Sequence, residues 1–287
     1  MLPEHDSLCM EPSDVEKQKA IALIVAGLGE AEIRIAASYA APFFWTLRDS
    51  NGREMTKGGS AFFLNTGERI FAVTAAHVVK ECLQDTKSRM FIQCMIGSDL
   101  GTPVPFHLGD RLIDGHSGID IATFWMTPEE IQRTGRQVLR GCYQWPPPLR
   151  QVDGGVTYCG FPGNGRRWLA PREIIFGIVA MAGIVSSSNE TAISILIERE
   201  HLRQVLGDKA MPENYDFGGI SGGPVIAIVQ TPTLRLWMPA GVIVQGPNPS
   251  GMLGESISGL EIIKARPVHF IKPDGMIDVV RWQQIHF

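Results

Sequence analysis

The sequence has 287 residues, of which 44% are hydrophobic and 20% are charged, and its formal net charge is −4. This length accommodates one large domain or two small ones around a substantial core. No dense basic stripe is present, which argues against nucleic acid as a partner. The longest nearly apolar stretches, 20–29 and 174–185, are too short to span a bilayer, and the first residues lack a secretory signal pattern. We therefore expect a cytoplasmic protein that binds neither nucleic acid nor membrane.

The cysteines and short motifs exclude several classes of site. Five cysteines, at positions 9, 82, 94, 142 and 159, form no C-x-x-C pair, which predicts free and mostly buried thiols rather than a disulfide framework. The sequence shows no metal-ligand spacing, phosphate-binding loop or dinucleotide fingerprint. We therefore predict no metal and no cofactor.

The predicted elements change in character along the chain. Residues 13–38 carry apolar side chains at helical spacing, and Ser13 and Asp14 can cap the start of this helix. We therefore predict a helical extension over residues 1–38. From residue 40 onward, short apolar runs alternate with Gly, Asn, Asp and Pro, as is typical of all-β sandwiches and barrels. Three consecutive prolines lie in the segment 136–152, which we predict to link two β units, 39–135 and 153–287.

Four glycines surround one serine in the stretch FGGISGGPV, residues 217–225. A serine hydroxyl is a weak nucleophile unless a base, and a group that orients the base, lie beside it. Acyl transfer also requires backbone N–H donors directed at the developing oxyanion, and glycines allow the backbone to present them. The stretch therefore indicates Ser221 as a candidate nucleophile, and the alternative is a tight glycine turn with an incidental serine.

The same residues also match G-x-S-x-G, the nucleophile elbow of α/β hydrolases. That motif requires a buried strand before the serine and a helix after it. Here a polar segment precedes Ser221, and a predicted strand that begins at Pro224 follows it. The elbow interpretation is therefore disfavoured, although Asp274 and His286 occupy the chain order that it requires.

A candidate base and a candidate acid lie upstream of the serine. His77 follows the apolar run IFAVTAA, a setting that the other six histidines lack. Asp120 begins an apolar run, where a carboxylate is costly unless it is hydrogen-bonded, for example to a histidine N–H. Asp114 is a competing acid in a polar Asp-Gly turn. Each residue alone has a structural interpretation, but the order His, Asp, Ser at strand edges favours a catalytic triad.

Three segments, TAAHVV, GIDIA and GGISGGPV, resemble the signatures of trypsin-like serine peptidases of the chymotrypsin fold, especially the bacterial trypsin-like and HtrA-like group. The resemblance covers about residues 40–275 and implies an all-β fold of two antiparallel six-stranded β-barrels with a cleft between them. It implies that Ser221 attacks the scissile carbonyl, that His77 is the general base and that Asp120 orients it. The backbone N–H groups of Gly219 and Ser221 would form the oxyanion hole.

The resemblance also predicts which residues bind substrate, which we expect to be a protein or peptide. Val244, Gln245 and Gly246 would pair with the substrate backbone as an added strand. Tyr215 and Asp216 would lie near the base of the specificity pocket, where Asp216 would favour a basic residue and Tyr215 a small one. The sequence does not identify a regulatory protein partner.

The sequence departs from the family pattern at two points. Ile220 stands where digestive members carry an aspartate that pairs with a newly cut N-terminus, so we expect no activation of that kind. Few residues follow the predicted last strand, so we expect no PDZ domain of the HtrA type. The expected function is a stand-alone serine endopeptidase. The alternatives are a catalytically silent binding module on the same fold and, less favoured, an esterase of another fold.

Overall fold

The computed structural model describes most of the chain. The described ranges are 13–97, 103–141, 145–170, 173–198, 215–230, 235–247 and 261–286, together with the single residues 200, 202, 204, 212 and 233. Cys9 and Cys142 therefore lie outside the described residues, as do positions 1–12 of the predicted extension. Along the described ranges, no helix is both long and apolar enough to cross a membrane.

The N-terminal segment is helical, as predicted. Helix α1 (Asp14–Leu23) continues through a π-helical turn (Ile24–Leu28) into α2 (Gly29–Tyr39). Gly27 has a φ of 111° inside that turn, which a residue with a side chain would adopt only under strain, so the helix kinks there. Helix α2 packs against the second half of the molecule, where its Glu32 forms an ion pair with Arg235.

The first half of the molecule is a twisted antiparallel sheet. Its elements are β1 (Ala40–Arg48), β2 (Glu54–Asn65), β3 (Ile70–Thr74), α3 (Ala76–Asp85), β4 (Phe91–Ile96), β5 (Val104–Phe106), α4 (Leu108–Arg111), β6 (Leu112–His116), β7 (Ile121–Phe124), α5 (Pro128–Arg133) and β8 (Val138–Arg140). The strand order is β5-β4-β1-β2-β3-β7-β6. Strand β8, which lies within the predicted linker, pairs in parallel with β2.

This first sheet forms a curled half-barrel, because β5 and β6 do not pair among the described residues. Strand β5 has only three residues, and a register shift after Leu112 interrupts the pairing of β6 with β7. The C-terminal segment lies against this region instead. The Ile277 backbone N–H donates to the Asp114 carboxylate, and the Thr123 hydroxyl donates to the Gly275 carbonyl.

The second half contains a closed barrel of six antiparallel strands, as predicted. Its elements are β9 (Gly155–Gly160), β10 (Arg166–Ala170), β11 (Glu173–Phe176), β12 (Val179–Ser188), β13 (Ile193–Ile197), β14 (Pro224–Gln230), β15 (Arg235–Gln245), β16 (Glu261–Pro267) and α6 (Val279–His286). The barrel order is β12-β13-β16-β15-β14-β9, and β10 and β11 form a separate hairpin. The all-β prediction is therefore confirmed.

Three apolar clusters hold these elements together. One fills the concave side of the first sheet, around Phe43 and Phe124, and another fills the barrel, around Ile195 and Ile243. The third joins the two halves, and it includes Phe62 from the first half and Val242 from the second. Because this shared cluster is buried, the two halves have a fixed relation to each other, which a site built from both requires.

The described cysteines are free and buried, in agreement with the prediction. They are Cys82, Cys94 and Cys159. Burial raises the pKa of Cys159 to about 12 and raises that of Cys94, so both are neutral thiols at physiological pH. Their role is therefore to pack in the core.

Candidate active site

His77 and Asp120 lie together at one edge of the first sheet. Strand β3 ends at Thr74, and His77 is the second residue of α3, which begins immediately afterwards. Asp120 directly precedes β7, the neighbour of β3 in the sheet. The Nδ1 of His77 is 2.8 Å from Oδ2 of Asp120, and the His77 backbone N–H donates to Oδ1 at 2.9 Å. Asp114, the competing acid, instead accepts from Ile277.

This double contact determines what the imidazole can do. A carboxylate only accepts hydrogen bonds, so Nδ1 carries the proton and Nε2 is left as an acceptor. Because Asp120 also binds the His77 backbone, the carboxylate fixes both the position of the residue and the plane of its ring. The histidine side chain remains about half exposed, at 48%, whereas that of Asp120 is 21% exposed.

Asp120 has an unusual backbone conformation, with a φ of 63°. Non-glycine residues rarely adopt this left-handed region, and strained residues of this kind cluster at functional sites. The Asp120 N–H donates to the His116 carbonyl at 2.7 Å, which closes a tight turn over residues 116–120. The turn directs the Asp120 carboxylate back onto the start of α3.

Ser221 lies in the loop before β14, and the backbone of this loop is held from both halves. Gly222 N–H donates to the carbonyl of Ile243 in the barrel at 2.7 Å. The Ser221 carbonyl accepts from the N–H of Ser60, in the first sheet, at 2.8 Å. A strand rather than a helix follows the serine, so the nucleophile-elbow interpretation does not apply.

The glycines beside Ser221 are required by close backbone contacts. A Cβ on Gly222 would overlap the Ser60 carbonyl oxygen, and one on Gly223 would overlap the Cys159 carbonyl oxygen. Gly219 has a φ of 101°, and a Cβ there would lie 2.9 Å from the backbone of Phe161. The crowded glycines thus allow the serine loop to pass tightly between the two halves.

The loop also orients the two N–H groups that were predicted to form an oxyanion hole. The Gly218 carbonyl accepts from Gly163 N–H at 2.6 Å, and the Ile220 carbonyl accepts from Gly223 N–H at 2.9 Å. In a trans peptide the N–H points opposite to the carbonyl. The N–H groups of Gly219 and Ser221 therefore point away from these anchors, and neither has an acceptor among the described residues.

Ser60 supports this loop through its backbone N–H and its hydroxyl, a role that the sequence did not reveal. Its hydroxyl donates to the Gly219 carbonyl at 2.9 Å and accepts from Phe161 N–H at 2.8 Å. Its carbonyl accepts from the Thr74 hydroxyl at 2.7 Å. Its position in the motif GSAFFL was the only sequence signal. Ser60 is fully buried, so these bonds replace contacts with water.

Ser221 and the start of α3 meet over Gly59. A Cβ on Gly59 would lie 2.9 Å from both the Ser221 carbonyl oxygen and a methyl group of Val78. The described hydrogen bonds do not include one between Ser221 and His77, and the Ser221 hydroxyl instead lies 3.5 Å from the Val244 carbonyl. That distance is at the limit of a hydrogen bond, so the hydroxyl is only weakly held.

The predicted substrate-binding residues line the same loop and the end of β15. A register shift in the pairing of β15 with β16 leaves Val244 between the paired residues Ile243 and Gln245. Tyr215 packs edge-to-face on Phe217, and burial, with a contribution from Asp216, raises its pKa. The Asp216 carboxylate accepts from Gly218 N–H at 2.7 Å. Asp216 thus binds its own loop, and Tyr215 is half-buried beside it.

Two arginines that the sequence did not single out also lie near the site. Arg166 donates to the carbonyls of Thr56 and Gly58, and burial lowers its pKa. Arg266 donates to the Ile119 carbonyl, one residue before Asp120.

Ile220, directly before the serine, is 2% exposed and packs in the barrel core. Across the described residues, no group of three or more His, Cys, Asp or Glu is arranged to bind a metal.

Comparison with known proteins gives limited information. No family model and no curated protein matches the sequence. Among solved structures, the chain is similar to the serine protease domain of the Sesbania mosaic virus polyprotein, with 13% identity, a TM-score of 0.43, and coverage of 82% of this chain and 90% of that one. A second similar structure concerns the coupled folding and binding of the intrinsically disordered Sesbania mosaic virus VPg protein. Its identity is 12%, its TM-score is 0.42, and the coverage is 82% and 87%. Because the identities and TM-scores are this low, the fold is assigned from the strand pairing described above and not from these similarities.

Proposed function

We propose that this chain is a serine endopeptidase in which Ser221, His77 and Asp120 form the catalytic triad. The observation that carries the proposal is the pair of hydrogen bonds that His77 donates to the Asp120 carboxylate, one from its backbone N–H and one from Nδ1. It leaves Nε2 as the free acceptor on the ring, at a point where α3 and the serine loop meet over Gly59. A histidine oriented in this way is the general base that a serine nucleophile requires.

The proposed reaction begins with attack of the Ser221 Oγ on the scissile carbonyl carbon while His77 Nε2 takes the hydroxyl proton. The carbonyl oxygen becomes an oxyanion, which the N–H groups of Gly219 and Ser221 stabilise. The C–N bond then breaks as Nε2 returns the proton to the leaving amine. Water attacks the resulting ester, again with His77 as base, and the Ser221 hydroxyl is regenerated when the acid product leaves.

We propose that the substrate is a protein or peptide that lies along the end of β15. Val244, Gln245 and Gly246 would pair with its backbone as an additional strand; the Gln245 residue is exposed, and Val244 and Gly246 are half-buried. The half-buried Tyr215 would favour small residues at the cleaved position, whereas the Asp216 carboxylate, which accepts from Gly218 N–H through one oxygen, would favour a basic residue. The motifs further suggest a trypsin-like peptidase of the bacterial type.

A catalytically silent binding module is the second candidate, and one observation favours it. The Ser221 hydroxyl lies 3.5 Å from the Val244 carbonyl, and its bond to His77 is not formed. Such bonds often tighten only when substrate binds. In a silent module, peptide would bind along the end of β15 without being cleaved.

Incubation with a defined peptide pool, read by mass spectrometry, tests the proposal. Wild type should produce shorter peptides with new N- and C-termini. Ser221→Ala and His77→Ala should each reduce turnover more than about a thousandfold. The control is Ser186→Ala, which removes an exposed hydroxyl that donates to the Ser194 carbonyl. Binding without cleavage by wild type would favour the silent module. Hydrolysis of simple esters with no peptide cleavage would indicate an esterase.

A further inference from the structure

The Asp120 turn requires support that its own sequence does not supply. Its positive φ is a sparsely populated conformation for a residue with a side chain, and such residues persist only where the surroundings hold them. The angle φ is the torsion about the N–Cα bond of Asp120, which joins the Ile119–Asp120 peptide to the carbon that carries the side chain. When the plane of this peptide is held and φ stays at 63°, the Cα–Cβ bond that leads to the carboxylate has a fixed direction.

Both ends of this peptide are hydrogen-bonded, and the two partners come from different halves of the molecule. Its N–H donates to the His116 carbonyl at 2.7 Å, within the turn. Its carbonyl, that of Ile119, accepts from the Nε of Arg266 at 2.8 Å. Arg266 belongs to β16 of the barrel, so the second bond crosses from the second half to the first.

Arg266 is itself held rigidly. One terminal nitrogen donates to the Thr191 carbonyl at 2.8 Å, and the other lies 3.5 Å from the Gly118 carbonyl. The guanidinium lies over the ring of Trp282, in α6, at 5.0 Å from its centroid. Among the described residues it forms no salt bridge, so its donors are directed at carbonyl oxygens. A planar guanidinium with five fixed donors suits this task better than an ammonium.

We propose that Arg266 is a positioning residue that holds the Asp120 carboxylate against His77. It does not touch the reacting atoms, and it acts from the barrel of the second half by holding the Ile119–Asp120 peptide in place. This inference deepens the proposed function and rests on it for its catalytic meaning. Burial lowers the pKa of Arg266, and the nearby charge of Asp120 opposes this shift.

The test uses Arg266→Gln and Arg266→Lys in the full chain. The first readout is the low-field NMR signal of the His77 Nδ1 proton, which His77→Gln identifies by its loss. Wild type should show the signal, Arg266→Gln should lose or shift it, and Arg266→Lys should restore it in part. In peptide cleavage, kcat of Arg266→Gln should fall about tenfold to a hundredfold, with KM within about twofold.

The matched control is Arg235→Gln. Arg235 is also a half-buried arginine of the barrel, but it pairs with Glu32 and does not contact the Asp120 turn. It should lower stability and leave both the His77 signal and kcat unchanged. If Arg266→Gln does not fold, the shift in Arg266→Lys carries the test.

The outcomes separate this inference from the proposed function. An unchanged His77 signal in both Arg266 variants overturns the positioning role, even if wild type cleaves peptides. If wild type cleaves nothing, the endopeptidase proposal fails, and a signal that depends on Arg266 still supports the geometric role. A signal lost equally in Arg235→Gln would overturn it, because general destabilisation would then explain the loss.

Discussion

The serine loop and the Asp120 turn both have an unusual backbone conformation that the other half of the molecule holds in place, but the two segments differ in how they adopt it. The serine loop adopts its path because glycines remove the side chains that would collide, and Ser60 of the first half fastens it. The Asp120 turn keeps a side chain in a strained conformation, and Arg266 of the second half fastens it. Each half therefore donates hydrogen bonds that hold a segment of the candidate site in the other half. Substitutions that remove these contacts test the comparison.

The largest expected effect follows from Gly222→Ala. The new Cβ would overlap the Ser60 carbonyl oxygen at a φ of 89°. Strain and overlap together should lower the free energy of unfolding by at least about 3 kcal/mol, as measured by urea denaturation. Gly67→Ala is the control, because Gly67 also has a positive φ but nothing lies within 4 Å of its Cβ position. Equal losses in the two variants would contradict the role of close contact.

Ser60→Ala should have the next largest effect. It leaves the buried Phe161 N–H and the Gly219 carbonyl without their partner. Unsatisfied groups of this kind cost about 1–3 kcal/mol, so the midpoint of urea denaturation should fall accordingly. The same variant should also lower the reactivity of Ser221. Ser186→Ala, at an exposed hydroxyl, should change stability by less than about 0.5 kcal/mol.

Glu32→Gln tests whether the ion pair between α2 and the barrel stabilises the folded protein. It removes the charge that pairs with Arg235, which is about one-third exposed at 31%. Because the arginine retains contact with water, we expect a loss of about 1–2 kcal/mol, less than for a fully buried pair. Glu30→Gln breaks the exposed Glu30–Arg34 pair in the same helix and should cost at most about 0.5 kcal/mol. A smaller loss for Glu32→Gln than for Glu30→Gln would contradict this role.

The smallest effect concerns pH and His269, three residues after Arg266. Burial, and then the positive charge of Arg281, lower the pKa of His269, although Glu190 and Asp278 oppose this. The unfolded chain therefore binds more protons than the folded one as pH falls below about 6.5, and stability falls with it. Above that pH the contribution is fully present. His269→Gln should remove this part of the slope in unfolding free energy between pH 8 and pH 5. Identical slopes would contradict it.

Much of the candidate site could be proposed from sequence, because its residues lie in local motifs. His77 follows the apolar strand β3, Asp120 directly precedes β7, Ser221 lies in the loop before β14, and the glycines mark the tight loop around the serine. Arg266 was not predictable, because a single arginine in a strand gives no signal until the barrel closes next to the turn. That the first sheet stays open between β5 and β6 could not be predicted, for a similar reason. Whether β5 meets β6 depends on non-local pairing, which short alternating runs do not specify.

The most direct measurement of the central claim is the intact mass of the protein after exposure to a fluorophosphonate. This reagent phosphonylates an activated serine, with loss of fluoride. We expect one adduct on wild type, located at Ser221 by peptide mapping. Ser221→Ala and His77→Ala should give no adduct, and Ser60→Ala and Arg266→Gln should react more slowly. Folded wild type without an adduct would contradict the claim that His77 and Asp120 activate Ser221.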